Sequence, residues 1–265
     1  MKDINYAELV AGIGIEKGDI IDVASALRGF KQYCQLQELE FNADYLIDAL
    51  IEAVGLDGTV MVRAFTWDFC EKKPFDILHS VSQVGALGNV AMKRRDFKRT
   101  QHPMYSWMVW GKYQEYLCNL SNICAFGEGT PFDFLCKNNA KMVRIGNTRE
   151  WGLTQRHHAE KLAEVPYRFE KEFEGEYIDC NGNKSTKTYS MYVRQLDMQV
   201  ELNDFSVIEQ EWERTGIKIS KDWNNISCCS IKLKGAMDYL YDDLAYNFGS
   251  KTVMINGMVG FKSIV

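Results

Sequence analysis

Up to Ile145 the chain alternates short apolar runs with segments of helical period, and that alternation confines it to the α/β fold classes. Gly18-Asp-Ile-Ile-Asp-Val23 is a short apolar run behind a turn and reads as a buried strand. From Asp44, apolar residues recur at Leu46, Ile47, Leu50, Ile51 and Val54, the spacing of one helix face, and Gly55 ends the segment. Residues 58–65 form the next strand, and residues 84–93 read as a helix weakened by Gly85 and Gly88. Residues 104–110 are a strand followed by a helix near 113–120. Thr130-Pro131 is a helix start, a cap residue followed by proline at the first helical position. Residues 141–145 are one more strand.

The second half changes character. Residues 167–178 and 185–195 are strand-like and flank Asn181-Gly182, a strong short-range hairpin signal. Residues 204–215 and 235–247 read as helices. No repeat, low-complexity tract or linker interrupts the chain. The expectation is a single α/β domain over residues 1–265, with a mixed central sheet flanked by helices and an inserted β-hairpin.

Composition narrows the function classes. With 46% hydrophobic and 25% charged residues, 265 residues can bury a substantial core. A net charge of -5 argues against general nucleic-acid binding. The eight cysteines form no Cys-x-x-Cys pair, and the N-terminus lacks the apolar core of a signal peptide. No run reaches the ~18 apolar residues of a membrane helix. These features point to free thiols in a cytoplasmic protein with no membrane partner.

The chemistry concentrates in Thr154-Gln-Arg-His157-His158-Ala-Glu160, which holds two of only four histidines. On a helix, Thr154, His157 and Glu160 share a face. A hydroxyl, an imidazole and a carboxylate together can take a proton and steady a developing oxyanion. Thr154 also suits the helix N-cap, which would put His157 in the first turn, where the macrodipole favours a neutral ring. Glu160 either orients that ring or is a solvated carboxylate pairing with Arg156 four residues back. Adjacent histidines point about 100° apart on a helix, so chelation of a metal is not expected.

Elsewhere, Val23-Ala-Ser25-Ala-Leu27 follows a strand with small residues, as either a tight turn or a place where backbone N–H groups meet an anion. Lys93-Arg-Arg-Asp-Phe-Lys-Arg99 is a basic run that also fits a solvated helix end. His102 and His79 read as structural, and Trp67 as a core, rim or pocket aromatic.

Taken in order, these pieces resemble the aminoglycoside 3-N-acetyltransferase family. Gly18-Asp-Ile-Ile-Asp-Val-Ala24-Ser25-Ala26-Leu27 stands for its Gly-Asp-hydrophobic run ending in Val-His-Ser-Ser-Leu. Gly58-Thr59 and Phe65-Thr66 follow, then Phe75-Asp76, Ser80 and Val84-Gly85-x-Leu87. Arg99-Thr100-Gln-His102-Pro103-Met-Tyr-Ser106, Gly127-Glu-Gly-Thr130-Pro131 and the Thr154, His157, Glu160 set complete the series.

The resemblance implies transfer of an acetyl group from acetyl-CoA, as co-substrate, to an amine. It implies His157 as general base, Glu160 as its support and Thr154 as holder of the thioester oxygen. It places CoA against Ala24, Ser25, Ala26 and Leu27 and near Arg99 and Thr100, and expects no metal. The chain departs from the family where alanines replace the loop histidine and second serine, and where Trp151-Gly152-Leu153 replaces an acidic Asp-Ser-Asn. Tryptophan with Arg149 and Arg156 nearby suits a sugar carrying an anion, through stacking and phosphate pairing. The favoured acceptor is therefore a nucleotide-linked amino sugar for surface-glycan synthesis, with Trp67, Trp151 and Arg156 as its binding residues. An aminoglycoside antibiotic is the alternative, and a non-catalytic relative that binds CoA or a sugar is the third reading. The oligomeric state stays open, a homodimer included.

Overall fold

Three apolar stretches separated in sequence become neighbours at the centre of the molecule. The computed structural model describes residues 4–146, 153–224 and 226–262. After α1 (Tyr6–Ala11) comes β1 (Ile20–Ser25), then α2 (Leu27–Leu36), α3 (Ala43–Val54) and β2 (Thr59–Arg63). β1 and β2 pair in parallel, and the crossover through α2 and α3 packs helices on one face of the sheet. A short β3 (Phe75–Asp76), α4 (Ala86–Ala91) and β4 (Lys98–Arg99) lead to β5 (Trp107–Gly111), and α5 (Gln114–Cys118) and α6 (Pro131–Lys137) lead to β6 (Lys141–Ile145). β6 lies parallel to β1 on its other side. Beyond it come α7 (Arg156–Leu162), β7 (Arg168–Ile178), β8 (Lys184–Arg194), β9 (Val200–Leu202) and α8 (Phe205–Arg214). β10 (Lys218–Trp223), β11 (Ile226–Lys232), α9 (Leu233–Tyr246), β12 (Val253–Ile255) and β13 (Met258–Val259) close the chain.

The central sheet runs β10-β11-β6-β1-β2-β5-β4, parallel among β6, β1 and β2 and antiparallel outward on both sides. It is the expected mixed sheet. Its two faces bury separate clusters. Ile21, Val23, Val60 and Val62 pack under α1, α2 and α3, while Met61, Trp107, Val109 and Met142 pack under α6, α7 and α9. The inserted hairpin is β7–β8, joined to β3 as a separate three-stranded sheet. Its turn is longer than an Asn-Gly two-residue turn. The strands end at Ile178 and Lys184, and the Asp179 carboxylate accepts the backbone N–H groups of Asn181 and Asn183.

Thr130 caps α6 as expected, its hydroxyl accepting the Asp133 N–H, with Pro131 at the first position. The segment read as a helix over 84–93 is confined to α4, and β5 starts three residues later than the strand expected from 104. Neither β10 nor β11 is among the elements expected from the sequence. β10 is an exposed edge strand whose residues lack an apolar stripe, so period gives no signal there.

Candidate functional site

α7 sits against the second face of the sheet, and its first two turns carry the two residues of greatest chemical interest. His157 Nδ1 lies 2.7 Å from Glu160 Oε2, the contact that helical spacing of three allows. Glu160 is fully buried, and other groups hold the rest of its carboxylate. The Tyr167 hydroxyl donates to Oε1 at 3.1 Å, and Arg156 Nη2 stands 3.1 Å from the same oxygen. Arg168 Nε is 2.6 Å from Oε2, a close ion pair without hydrogen-bond alignment. Burial alone would raise the Glu160 pKa. The Arg156, His157 and Arg168 side chains outweigh it and hold the carboxyl well below its usual range.

His157 is the exposed end of this cluster, with a quarter of its side chain accessible. Burial pushes its pKa down to about 4 against the pull of Glu160, so the ring is neutral at pH 7. With Nδ1–H donating to Glu160, Nε2 is left as an acceptor, the tautomer a general base requires. The edge of Phe126, 5.6 Å away between ring centres, backs the imidazole. A cleft of about 550 Å³ opens at His157 and Thr154, walled by Leu153, Arg194, Val200 and Phe205.

Glu160 contacts both His157 and Arg156, but as a buried carboxylate and not the solvated one of the second alternative. Thr154 is a different matter, because it does not cap α7. The N-cap is Gln155, in helical conformation and without a side-chain cap bond. The Thr154 carbonyl accepts the His157 N–H, and its hydroxyl accepts from Arg63 Nη1 at 3.3 Å. The reason is a buried guanidinium below it. Arg63, near the end of β2, makes a forked pair with Asp22 of β1, with contacts of 3.1 Å and 2.7 Å. Trp107 Nε1 and Gln155 Nε2 also donate to Asp22, and Gln155 Oε1 accepts from Arg63 at 3.1 Å. Asp22, Arg63, Gln155 and Arg168 are not among the site residues expected from the sequence. Opposite charges inside two adjacent apolar strands are the available signal for the first pair.

Ala24 to Leu27 turn from β1 into α2 at the same sheet end as Arg63, since Val23 pairs with Val62. Ala26 takes the N-cap position of α2 with no side-chain cap, and two glycines crowd this turn. A Cβ on Gly146 (φ 69°) would meet the Ala26 carbonyl oxygen at 2.6 Å, and one on Gly85 (φ 148°) the Ser25 oxygen at 3.1 Å. The Ala26 N–H donates to the Ile145 carbonyl at 2.9 Å, so what this glycine-walled turn offers the phosphates of a CoA molecule is the uncapped start of α2.

Arg99 and Thr100 lie elsewhere, with β2 and β5 between β4 and β1. Arg99 donates to Ser106, to the Ser80 carbonyl and to the Ala64 carbonyl at 2.6 Å, and stacks over Phe75. Burial lowers its pKa to about 10. The Thr100 hydroxyl accepts the Trp107 N–H. Trp67 is a rim aromatic, 36% exposed and edge-on to Phe65 and Tyr105. Arg156 lines the cleft, but its charge faces Glu160. Trp151 and Arg149 lie outside the described residues. His102 is buried as expected, while His79 is exposed and pairs with Asp76.

Glu160 yields a stability prediction. Glu160→Leu leaves Arg156 and Arg168 buried without their shared anion and is expected to cost about 3 kcal/mol. Urea unfolding of the two proteins measures it, and equal midpoints and slopes would contradict the cluster's role.

Comparison with known proteins adds a family to this geometry. The family described as aminoglycoside 3-N-acetyltransferase matches residues 31–244. Aminoglycoside N(3)-acetyltransferase III from Salmonella sp. and from Enterobacter cloacae are each 25% identical over 205 residues, 70% of this chain and 69% of theirs. Among solved structures, aminoglycoside acetyltransferase AAC(3)-Xa superposes with a TM-score of 0.76 at 19% identity, covering 92% of this chain and 93% of that one. A binary complex of AAC-IIIb with CoASH gives 0.75 at 21% identity, over 94% and 99%. The YokD protein from Bacillus subtilis gives 0.71 at 19%, over 91% and 97%.

These matches correct the favoured acceptor, because the family and its relatives are named for aminoglycosides and not for nucleotide-linked sugars. The Arg156 part of the physical ground for the nucleotide reading also falls, since the charge meant for a phosphate is taken by Glu160. No helix among the described residues is long and apolar enough to cross a membrane. The chain belongs to the aminoglycoside 3-N-acetyltransferase family and, with that family, is an N-acetyltransferase that uses acetyl-CoA as co-substrate.

Proposed function

We propose that the protein acetylates an amino group of an aminoglycoside antibiotic and thereby confers resistance to it, the whole of residues 1–265 working as one domain. The observation that carries the reading is the buried Glu160 holding a neutral His157 at the wall of a cleft, beside Thr154. Acetyl-CoA supplies the acetyl group as a thioester. The acceptor ammonium first loses a proton to solvent, which frees its lone pair. As nitrogen bonds to the thioester carbon and the carbon–sulfur bond breaks, His157 takes the second nitrogen proton and passes it to the departing sulfur. An amide and a free thiol result, with no net charge left on the enzyme.

Glu160 stays ionised throughout and stabilises the imidazolium that forms for part of the cycle. Thr154 donates its hydroxyl proton to the carbonyl oxygen as that atom gains charge. Ala24, Ser25, Ala26 and Leu27 form the CoA side at the β1–α2 turn, where the Ala26 N–H is taken by the Ile145 carbonyl and the phosphates meet the start of α2. Arg99 and Thr100 serve the CoA side indirectly, since the Arg99 donors already bind Ala64, Ser80 and Ser106. Trp67 and Trp151 are acceptor-side aromatics. Eight free cysteines support a reducing, cytoplasmic setting.

The test is thiol release from acetyl-CoA across a panel of aminoglycosides, with mass spectrometry of the products. Saturable release with one acetyl group added to the drug is the expected result. Turnover of amino-sugar nucleotides, with none of any aminoglycoside, would overturn the acceptor.

A further inference from the structure

Resting on the donor role of Thr154 given above, we propose that the buried Asp22–Arg63 pair is a positioning device for the Thr154 hydroxyl. Asp22 is fully buried inside β1, and Arg63, 6% exposed, ends the neighbouring parallel strand β2. A buried ion pair is a poor means of stabilising a core, because apolar residues of similar size commonly do as well or better. Its presence under the first turn of α7 therefore asks for another explanation, and the contacts supply one.

A guanidinium can only donate, whereas a hydroxyl has one proton and two acceptor sites. At 3.3 Å from Arg63 Nη1, Thr154 Oγ1 is necessarily the acceptor, and its own proton is turned away from Arg63. Thr154 is half-buried and lines the cleft together with His157, so the cleft side is where that proton serves. Accepting from a cation also polarises the hydroxyl and makes it a stronger donor.

Gln155 locks the arrangement from the side. Its amide nitrogen donates to Asp22 and its amide oxygen accepts from Arg63, so the residue between Thr154 and Arg156 is held at both ends of its side chain. Trp107 donates to Asp22 Oδ1 at 2.8 Å, the oxygen that also accepts from Arg63 Nε, and fixes the carboxylate in turn. The Thr154 carbonyl accepts the His157 N–H at 3.0 Å, so one device sets both the oxyanion donor and the start of the helix that carries the base. Arg63 and Asp22 touch no reacting atom in this scheme. They act through Thr154.

The experiment replaces the pair by an apolar one, Asp22→Leu with Arg63→Met, which avoids leaving either charge alone in the core. The expected result is a folded protein whose kcat falls about 10- to 100-fold with the KM for acetyl-CoA unchanged, somewhat less than deletion of an oxyanion donor. Thr154→Val is measured alongside, and adding the double substitution to it should slow the enzyme no further. Arg63→Lys, which keeps a cation against Asp22 but loses the fork, covers the case in which the double variant does not fold, and it should also lower kcat. A slow Thr154→Val combined with wild-type kcat in either pair variant overturns the inference alone. Wild-type kcat in Thr154→Val instead overturns the donor role on which it rests.

Discussion

His157→Ala is expected to lower kcat by about 10²- to 10⁴-fold, the usual contribution of a positioned general base, while CoA still binds. The proposed base and the proposed CoA cradle belong to different parts of the structure. His157 is on α7, and Ala24 to Leu27 are at the β1–α2 turn. The side chain is also the least buried member of its cluster, so its loss removes little packing. Glu160 keeps Arg156, Arg168 and Tyr167 as partners after the substitution, and the cluster stays closed. Stopped thiol release together with equilibrium binding of CoA makes the measurement. Retained turnover would remove His157 from the mechanism, whereas loss of CoA binding would mean that the substitution acts on the fold.

Mild acid is expected to destabilise the protein strongly, through three histidines. Burial pushes His102, His157 and His158 each down to about 4 from an ordinary 6.5. Between those values the unfolded chain binds more protons than the folded one, so stability rises with pH through this window and is lost as pH falls. From pH 7 to 4.5 the loss is roughly 2 kcal/mol per residue, or on the order of 5–7 kcal/mol in all, because each tenfold weakening of proton affinity is worth about 1.4 kcal/mol.

Burial is the main reason the rings resist a proton, and two of them also have an acceptor nitrogen engaged. His102 Nδ1 accepts the Tyr105 N–H at 3.1 Å, and His158 Nδ1 accepts the Gly127 N–H at 3.2 Å, so protonation there breaks a backbone bond. Glu160, with its lowered pKa, adds stability that is present above an ordinary 4.5 and is lost only as pH falls further. Its contribution therefore overlaps the histidine window only at the acid end, near 4 to 4.5. Urea unfolding at pH 7 and 4.5 separates the two, and unfolding free energies that agree across the histidine window would sink the account.

Local signals carried far in this chain. The α3 face, the Thr130-Pro131 start of α6 and the β7–β8 hairpin all depend on residues within a few positions of one another, and the sequence pattern locates them. The His157–Glu160 contact is legible for the same reason, because a spacing of three on a helix brings side chains together wherever that helix lies. Thr154 shows the limit. A hydroxyl just ahead of a helix reads as a cap, but its hydrogen-bond partner is Arg63, 91 residues away.

By itself, then, the sequence determined the α/β class, the family resemblance and the His157–Glu160 contact. Only the tertiary structure decided that Thr154 faces a buried cation, that Arg156 is neutralised by Glu160, and that Asp22 and Arg63 meet beneath the site. The physical reason is range. Helical period and capping act over a turn of chain, whereas a buried charge takes its partner from whichever strand the sheet places beside it.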